Sequence, residues 1–461
     1  MAIHAYEQAV AFWMDRTNYE RTGMPTNPNE FKLDRMHSLM SQLDHPERRL
    51  KIVHVAGTKG KGSTSALIAA MTREAGYRTG LFTSPHLINM EERIQIDGEN
   101  ISQSNFTHCM NRLEPAVRAV EAHHGASMTF FEIITALAFL YFAESEVDIA
   151  VIEVGLGGRL DATNICIPLI SIITSISFDH TAQLGNTLSS IAREKAGIIK
   201  QGRPTISGAT DPEAATVIAQ IADERYSRLE VLGTDFDYGY RAGKLSHGEL
   251  IRPQVDVTLR GVHWSGLSIP LLGEHQAANT SLAIACVAEL RRAGFKISSD
   301  AVRAGLSKVN WPARLEVLHD SPFVVLDCAH GPASIQAALN TIHETFEVPR
   351  RGLIFACSGD KDVEGMLTLL TPHFQKVWFT QCSNTLRGTA AEELARVWRH
   401  CGGGECELVG TPSHAAEEAL AWSEPEDLIC VIGFVLLAGE VRSAVSLEMS
   451  TTQRTEASCA N

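Results

Sequence analysis

Short runs of β-branched apolar residues that stop abruptly in glycine or polar turns, each followed by apolar positions at helical spacing, recur along most of the chain. KIVHVAGTKGKGST (51–64) is the first: an apolar run, a glycine-rich turn, then the helical pattern SALIAAMTREAG. YRTGLFTSPHL reads as a strand ending in a turn at Ser84-Pro85-His86, and ERIQIDGENIS alternates like an edge strand or hairpin. TFFEIITALAFLYFAES is a long apolar helix, and VDIAVIEVGLGG a buried strand running into a second glycine turn. LISIITSISFDH repeats that design with a polar end, and SSIAREKAGII follows as a helix. Strands alternating with helices predict a mostly parallel sheet, whose ligands bind at the carboxyl ends of the strands. Four such ends, GTKGKGS, TSPH, EVGLGG and SFDH, carry residues capable of chemistry and are expected to face one site.

The flanks have a different texture. Residues 1–50 read as helices, with Phe31, Leu33, Met36, Leu39, Met40 and Leu43 at helical spacing. Residues 203–270 read as further strands and irregular connections, and GEHQAANTSLAIACVAELRRAG as an amphipathic helix. The pattern breaks at KVNWPARLEVL, where Pro312 interrupts it. FVVLDCAHGPASIQAALNTI, GLIFACSGDKD, KVWFTQC and DLICVIGF then form a second, smaller α/β domain. Three stretches result: 1–308, 309–445, and a polar tail, 446–461, without periodicity and expected to be disordered.

Composition removes several classes of function. A chain of 461 residues exceeds one ordinary core, and 44% hydrophobic with 20% charged residues is a soluble globular balance. No run of about 18 apolar residues suggests a membrane span, and no signal pattern opens the chain, so a cytoplasmic location is expected. A net charge of −14 argues against nonspecific nucleic-acid binding. Ten cysteines, none in a CxxC pair, are expected to be reduced thiols.

The 51–64 stretch carries the most chemistry. Gly57, Gly60 and Gly62 let backbone N–H groups approach anionic oxygens at a helix N-terminus, Lys61 supplies a point charge, and Ser63 or Thr64 a hydroxyl for Mg²⁺. The spacing departs from the usual phosphate loop: Val55 stands where a glycine is expected, and Gly62 separates Lys61 from Ser63. That argues against an ordinary kinase or GTPase.

Taken together, HVAGTKGKGST, TSPHL with ERI, TFFEIITALAF, EVGLGGRLDATN, DHTAQLGNTLSSIAREKAGIIK, HQAAN, and LDCAH with GDKD resemble the folylpolyglutamate synthase and dihydrofolate synthase family, the folate branch of the Mur ligases. The resemblance spans roughly residues 30–440. It implies an N-terminal P-loop ATPase-like domain with a mostly parallel sheet and a C-terminal Rossmann-like α/β domain. It also implies ATP-dependent addition of L-glutamate to a folate-type carboxylate through an acyl phosphate, on tetrahydrofolate, dihydropteroate or both.

By the same resemblance ATP is held by Gly57, Thr58, Lys59, Gly60, Lys61, Gly62, Ser63, Thr64, Asn279, Arg314 and Asp327, and Mg²⁺ by Ser84, Glu153 and His180. Lys195 matches a lysine carried as a carbamate, and His330 lies on the glutamate side. The folate side comprises Leu33, Asp34, Arg35, Thr129, Phe131, Leu160, Asp161 and Ala162. Closure about residues 305–312 is expected to assemble the arrangement, in a monomer without nucleic-acid or membrane partners. The chain departs from the bacterial pattern DGAHNP, with Cys328 in place of glycine and Gly331 in place of asparagine. A Mur-type cell-wall ligase and a nucleotide-binding module without chemistry remain as alternatives. Neither the acceptor nor the length of the glutamate chain is legible.

Overall fold

The computed structural model describes residues 5–23, 32–246, 249–382 and 387–445. Phe31 and the 446–461 tail lie outside them. The chain divides into two compact units. The first comprises Met1–Tyr240, Val255–Pro270 and His275–Asn310, and the second takes Arg241–Gln254, Leu271–Glu274 and the chain from Trp311 on.

The first unit opens with helices α1 (Tyr6–Met14), α2 (Tyr19–Thr22) and α3 (Asp34–Gln42). Met36, Leu39, Met40 and Leu43 of the predicted stripe are buried. Strand β1 (Ile52–Ala56) is buried throughout and leads into α4 (Lys61–Glu74). Next come β2 (Thr79–Phe82), the hairpin β3 (Ile94–Ile96) and β4 (Glu99–Asn100), and helices α5 (Gln103–His124) and α6 (Phe130–Glu144). Thr129 starts α6 with a reciprocal cap to Glu132. Trp13 of α1 stacks on Phe130 at 3.9 Å and donates its indole N–H to the Phe130 carbonyl, which fastens the N-terminal helices to this layer.

Strands β5 (Ile149–Glu153) and β6 (Ile170–Ile173) follow, then α7 (Thr181–Leu184), α8 (Leu188–Ala196), β7 (Thr205–Ser207), α9 (Pro212–Glu224) and β8 (Leu229–Val231). The sheet order is β4-β3-β2-β5-β1-β6-β7-β8, with β2 to β8 parallel and the β3–β4 hairpin antiparallel at one edge, as expected.

Helix α9 is a correction, because residues 203–270 were expected to hold only strands and connections. Asp211 caps it through the N–H groups of Glu213 and Ala214, Pro212 occupies its first turn, and Ala214, Val217, Ile218 and Ala222 form its buried face. Those start signals are present in the sequence.

Strand β9 (Phe236–Arg241) precedes the hairpin β10 (Lys244–Ser246) and β11 (Glu249–Ile251), which groups with the second unit. Strand β12 (Gln254–Leu259) pairs with β9 on one side and with β13 (Val262–Ser268) on the other in a three-stranded sheet. Helix α10 (Glu274–Arg292) is buried on nearly every side rather than amphipathic, and α11 (Ser299–Lys308) ends the unit.

The second unit is built on β14 (Arg314–Asp320), β15 (Phe323–Asp327), α12 (Pro332–Thr345), β16 (Arg351–Ala356), α13 (Val363–Leu370), β17 (Lys376–Phe379), α14 (Ala391–His400), β18 (Glu405–Leu408), α15 (Pro412–Trp422) and β19 (Leu428–Gly433). Its sheet runs β14-β15-β19-β16-β17-β18, parallel except for β14. Among the described residues no helix is long and apolar enough to cross a membrane.

Candidate active site

In the first unit β1 lies between β5 and β6, so the turn that leaves its carboxyl end sits at the middle of the parallel edge. Gly57 and Gly60 adopt φ of +149° and +84°. A Cβ on Gly57 would collide with the Thr174 side chain, and one on Gly60 with the carboxamide of Asn279, so both positions require glycine. That second collision places Asn279 of α10 directly against the loop. Gly60 caps α4 without a side-chain hydrogen bond, and Thr64 N–H makes the first helical bond back to Gly60. The first N–H groups of α4 are therefore presented at the loop without a side-chain cap, as anion binding requires.

Two lysines converge on one carbonyl. Lys61 Nζ donates to Gly57 O at 3.1 Å, and Lys195 Nζ, from α8, donates to the same oxygen at 2.9 Å. Lys195 is 4% exposed. Burial, and then the charge of Lys61, push its pKa down to about 7.

The segment after β6 clasps the loop. Thr174 Oγ1 and Ser175 Oγ donate to Lys59 O at 2.6 and 3.0 Å, and Thr58 N–H donates to Ser175 O at 2.7 Å. Lys59 Nζ pairs with Asp179 Oδ2 at 2.9 Å. This clasp explains a second difference from expectation. The strand ends at Ile173, and His180 sits seven residues on, with φ +49°, as the cap of α7. The segment beyond Ile173 is held to the loop, and a residue at φ +49° has left the extended conformation a strand needs, so His180 is delivered by a turn. Thr174, Ser175 and Asp179 were not singled out in the sequence, although the polar run that ends SISFDH was the available signal.

Glu153, at the end of β5, is 4% exposed and accepts from the Ser84 N–H at 3.1 Å. The Ser84 turn is anchored from below. Buried Arg93 donates Nε to His86 Nδ1 at 2.8 Å and forms a bidentate pair with Glu20 of α2 at 2.9 and 2.5 Å. Burial pushes His86 down to about 4, which keeps it a neutral acceptor for that guanidinium. Among the described residues no three His, Cys, Asp or Glu side chains are gathered tightly enough to hold a metal by themselves.

The elements that carry the residues expected on the folate side are linked by hydrogen bonds and packing. Leu33 caps α3, and Asp34 and Arg35 begin it. Arg35 Nε donates to Glu132 at 3.0 Å, and Glu132 also accepts from the Thr129 N–H and hydroxyl at 2.7 and 2.8 Å. Phe131 lies against Gly155 so closely that a Cβ there would stand 2.5 Å from its ring. Asp161, in the same glycine turn, accepts from Leu156 N–H at 2.9 Å, and α3 packs on the Ala162–Ile165 turn. Leu160 is half-buried beside it.

In the second unit Arg314 opens β14 opposite Asp327 and donates to Ala313 O at 2.9 Å. Asp327 accepts from the N–H groups of Leu315 and Ala329 at 2.9 and 2.8 Å. His330 donates Nδ1–H to Cys328 O at 2.8 Å. Gly331 caps α12 with φ −168°, an extended conformation open to any residue, and space for a Cβ.

A phosphate loop in a parallel sheet, carried in one chain with a second α/β unit, is the build of a Mur-type ATP-dependent ligase. Residues 55–287 match the Mur ligase middle domain, and residues 313–434 the Mur ligase glutamate ligase domain. The dihydrofolate synthase/folylpolyglutamate synthase of Bacillus subtilis is 40% identical over 340 residues, 73% of this chain and 78% of that protein. A Mycobacterium tuberculosis folylpolyglutamate synthase solved with ADP superposes with a TM-score of 0.84 at 31% identity, covering 95% of this chain and 97% of that one. Escherichia coli FolC in complex with DHPP and ADP gives 0.82 at 27% identity, covering 97% and 99%. The chain belongs to the folylpolyglutamate synthase and dihydrofolate synthase family, and its activity is ATP-dependent ligation of glutamate to folates.

Proposed function

We propose that the convergence of Lys61 and Lys195 on Gly57 O marks the phosphoryl-transfer centre of this ligase. ATP's terminal phosphates lie over the N–H groups that open α4, with Lys61 offsetting the charge that spreads onto the transferred phosphoryl group. The acceptor carboxylate attacks the γ-phosphorus, ADP leaves, and the resulting acyl phosphate is opened by the amine of L-glutamate with loss of phosphate. Arg314 and Asp327 are assigned to ATP and His330 to glutamate. Leu33–Arg35, Thr129, Phe131 and Leu160–Ala162 are assigned to the folate acceptor, dihydropteroate, a reduced folate, or both. The free state of all nine described cysteines accords with a reducing cytoplasm.

Mg²⁺ fits the donors present. Glu153 would supply a buried carboxylate and Ser84 and His180 the remaining protein ligands, and among the described residues the Thr64 hydroxyl is buried without a hydrogen-bond partner at the start of α4. Bound there, the ion would screen the phosphates and hold them for in-line attack. Glu153→Gln, which keeps the shape and removes the charge, is expected to raise the Mg²⁺ concentration for half-maximal ADP release at least roughly tenfold. An unchanged magnesium titration would remove Glu153 from the ligand set.

Lys195 fits a carbamate. With its pKa near 7, about half the amine is neutral at pH 7 and more above it. Its nitrogen can then bond to the carbon of CO₂ with loss of one proton, which turns a buried cation into an anion beside the phosphate loop.

The Gly331 departure also has a measurable consequence. Because φ there is −168°, asparagine fits without strain, and its amide would stand at the start of α12 beside His330. If the family asparagine helps hold glutamate, Gly331→Asn is expected to lower the KM for glutamate roughly two- to tenfold, the worth of one hydrogen bond, and to leave that for ATP nearly constant. Unchanged glutamate kinetics would show that another group already makes the contact.

A further inference from the structure

His54 is an anomaly in the middle of β1. It is fully buried in an otherwise apolar strand, between Ile152 and Ser171 on the neighbouring strands, and the phosphoryl-transfer chemistry has no use for it. Its Nε2 lies 2.8 Å from Thr163 Oγ1, and the Thr163 hydroxyl donates to Asp161 Oδ1 at 2.5 Å. With that proton committed to the carboxylate, the Thr163 oxygen accepts from His54, which fixes the imidazole as the Nε2–H tautomer. Nδ1 is then the acceptor for the Cys166 thiol at 3.8 Å. Burial pushes the pKa of His54 down to about 3, so the ring stays neutral and the tautomer is not disturbed by protonation.

Every hydrogen bond in this chain points the same way: Cys166 to His54, His54 to Thr163, Thr163 to Asp161. The carboxylate is completed by the N–H groups of Thr163 and Leu156 at 3.0 and 2.9 Å, and the second of these ties down the Gly155–Gly158 turn on which Phe131 rests. An apolar residue at position 54 would pack with no polar group to satisfy. The histidine's N–H instead dictates which way the Thr163 hydroxyl points, and a short bond to Asp161, whose pKa burial raises, holds it there.

We propose that His54 and Thr163 are positioning residues for the acceptor, their hydrogen-bond chain setting the Asp161 carboxylate and the glycine turn against which a folate-type substrate is read. This rests on the assignment of Asp161 to the folate side. The chain thereby links β1, the strand that delivers the phosphate loop, to the acceptor surface.

The test is steady-state ADP release with whichever of tetrahydrofolate or dihydropteroate is turned over, each substrate varied in turn. Thr163→Val is expected to raise the acceptor KM roughly ten- to hundredfold, with the values for ATP and glutamate within about twofold of the parent. Thr163→Ser, which keeps the hydroxyl, should restore it. His54→Leu should show the same selective rise, and the double variant no more than the worse single, because both remove one chain. If Thr163→Val does not fold, His54→Gln in folded protein must still raise the acceptor KM selectively. Asp161→Asn separates the layers. A rise there with none in Thr163→Val overturns the positioning role alone, whereas no rise in Asp161→Asn overturns the folate-side assignment and this proposal with it. Equal rises for all three substrates, or additive losses in the double variant, would make the network merely structural and also overturn it.

Discussion

Lys61→Ala is expected to cut ADP release in the presence of glutamate and a folate acceptor by on the order of 10²–10³-fold, with the thermal unfolding midpoint nearly unchanged. The lysine is half-buried at the first turn of α4 and, among the described residues, donates to backbone oxygens of its own loop, Gly57 O at 3.1 Å and, more weakly, Thr58 O at 3.5 Å. Those bonds stabilise the fold little. At transfer the same ammonium is expected to meet the charge spread over the phosphoryl oxygens, where a fixed, preorganised cation stabilises it. A second effect follows from the shared carbonyl. Lys61 is the largest charge cause, after burial, of the depressed Lys195 pKa, so its removal lets that pKa climb and shrinks the neutral fraction of Lys195. ADP release at the parental rate in folded Lys61→Ala would contradict both roles.

The second large effect is expected at Lys195. Lys195→Ala should lose roughly 10² or more of the ligation rate, and a short carboxylate such as acetate or formate should restore part of it by occupying the space of the carbamate. The pH dependence has a definite sign. A lysine with a depressed pKa is protonated below about 7 and neutral above it, so if Lys195 is carbamylated, carbamate formation and activity are expected to fall together as pH drops through that value. The linkage to stability runs the same way. Between about 7 and the ordinary lysine value the unfolded chain binds the proton that the folded chain gives up, so the burial penalty of Lys195 eases as pH rises through that window. Depletion of CO₂ at fixed pH should slow the parent enzyme and leave the variant untouched. Full activity in Lys195→Ala, or no response of the parent to CO₂, would remove the carbamate.

How much of this was legible in the sequence depended on whether the signal was local. The β1-loop-α4 unit could be read because an apolar run, positive-φ glycines and a helical period are all encoded within some twenty residues. The β3–β4 hairpin and the parallel core followed from the same kind of pattern. Helix α9 had its Asp-Pro start and apolar spacing in plain view, and was lost in a region judged by its many short strands. The position of His180 beyond its strand and the pairing of Asp179 with Lys59 were not legible for a different reason. Their placement depends on Thr174 and Ser175 pairing with a loop more than a hundred residues earlier, and no window along the chain contains both partners. The grouping of β10 and β11 with the second unit is non-local in the same sense, because Leu245 and Leu250 pack on a core formed mainly by residues after 311. The His54–Thr163–Asp161 chain spans 109 residues between its first two members, so the histidine in IVHVA reads as an oddity until the fold brings its acceptor to it.

The central claim is that this chain spends ATP to join glutamate to a folate-type carboxylate. It is tested most directly by mass analysis of the products after incubation with ATP, Mg²⁺, L-glutamate and, in separate reactions, dihydropteroate and tetrahydrofolate. The account predicts at least one acceptor heavier by a glutamyl residue, with one ADP and one phosphate formed per residue added, and no product when glutamate or ATP is omitted. ADP formed without any glutamylated acceptor, or no turnover with either acceptor in folded protein, would contradict it.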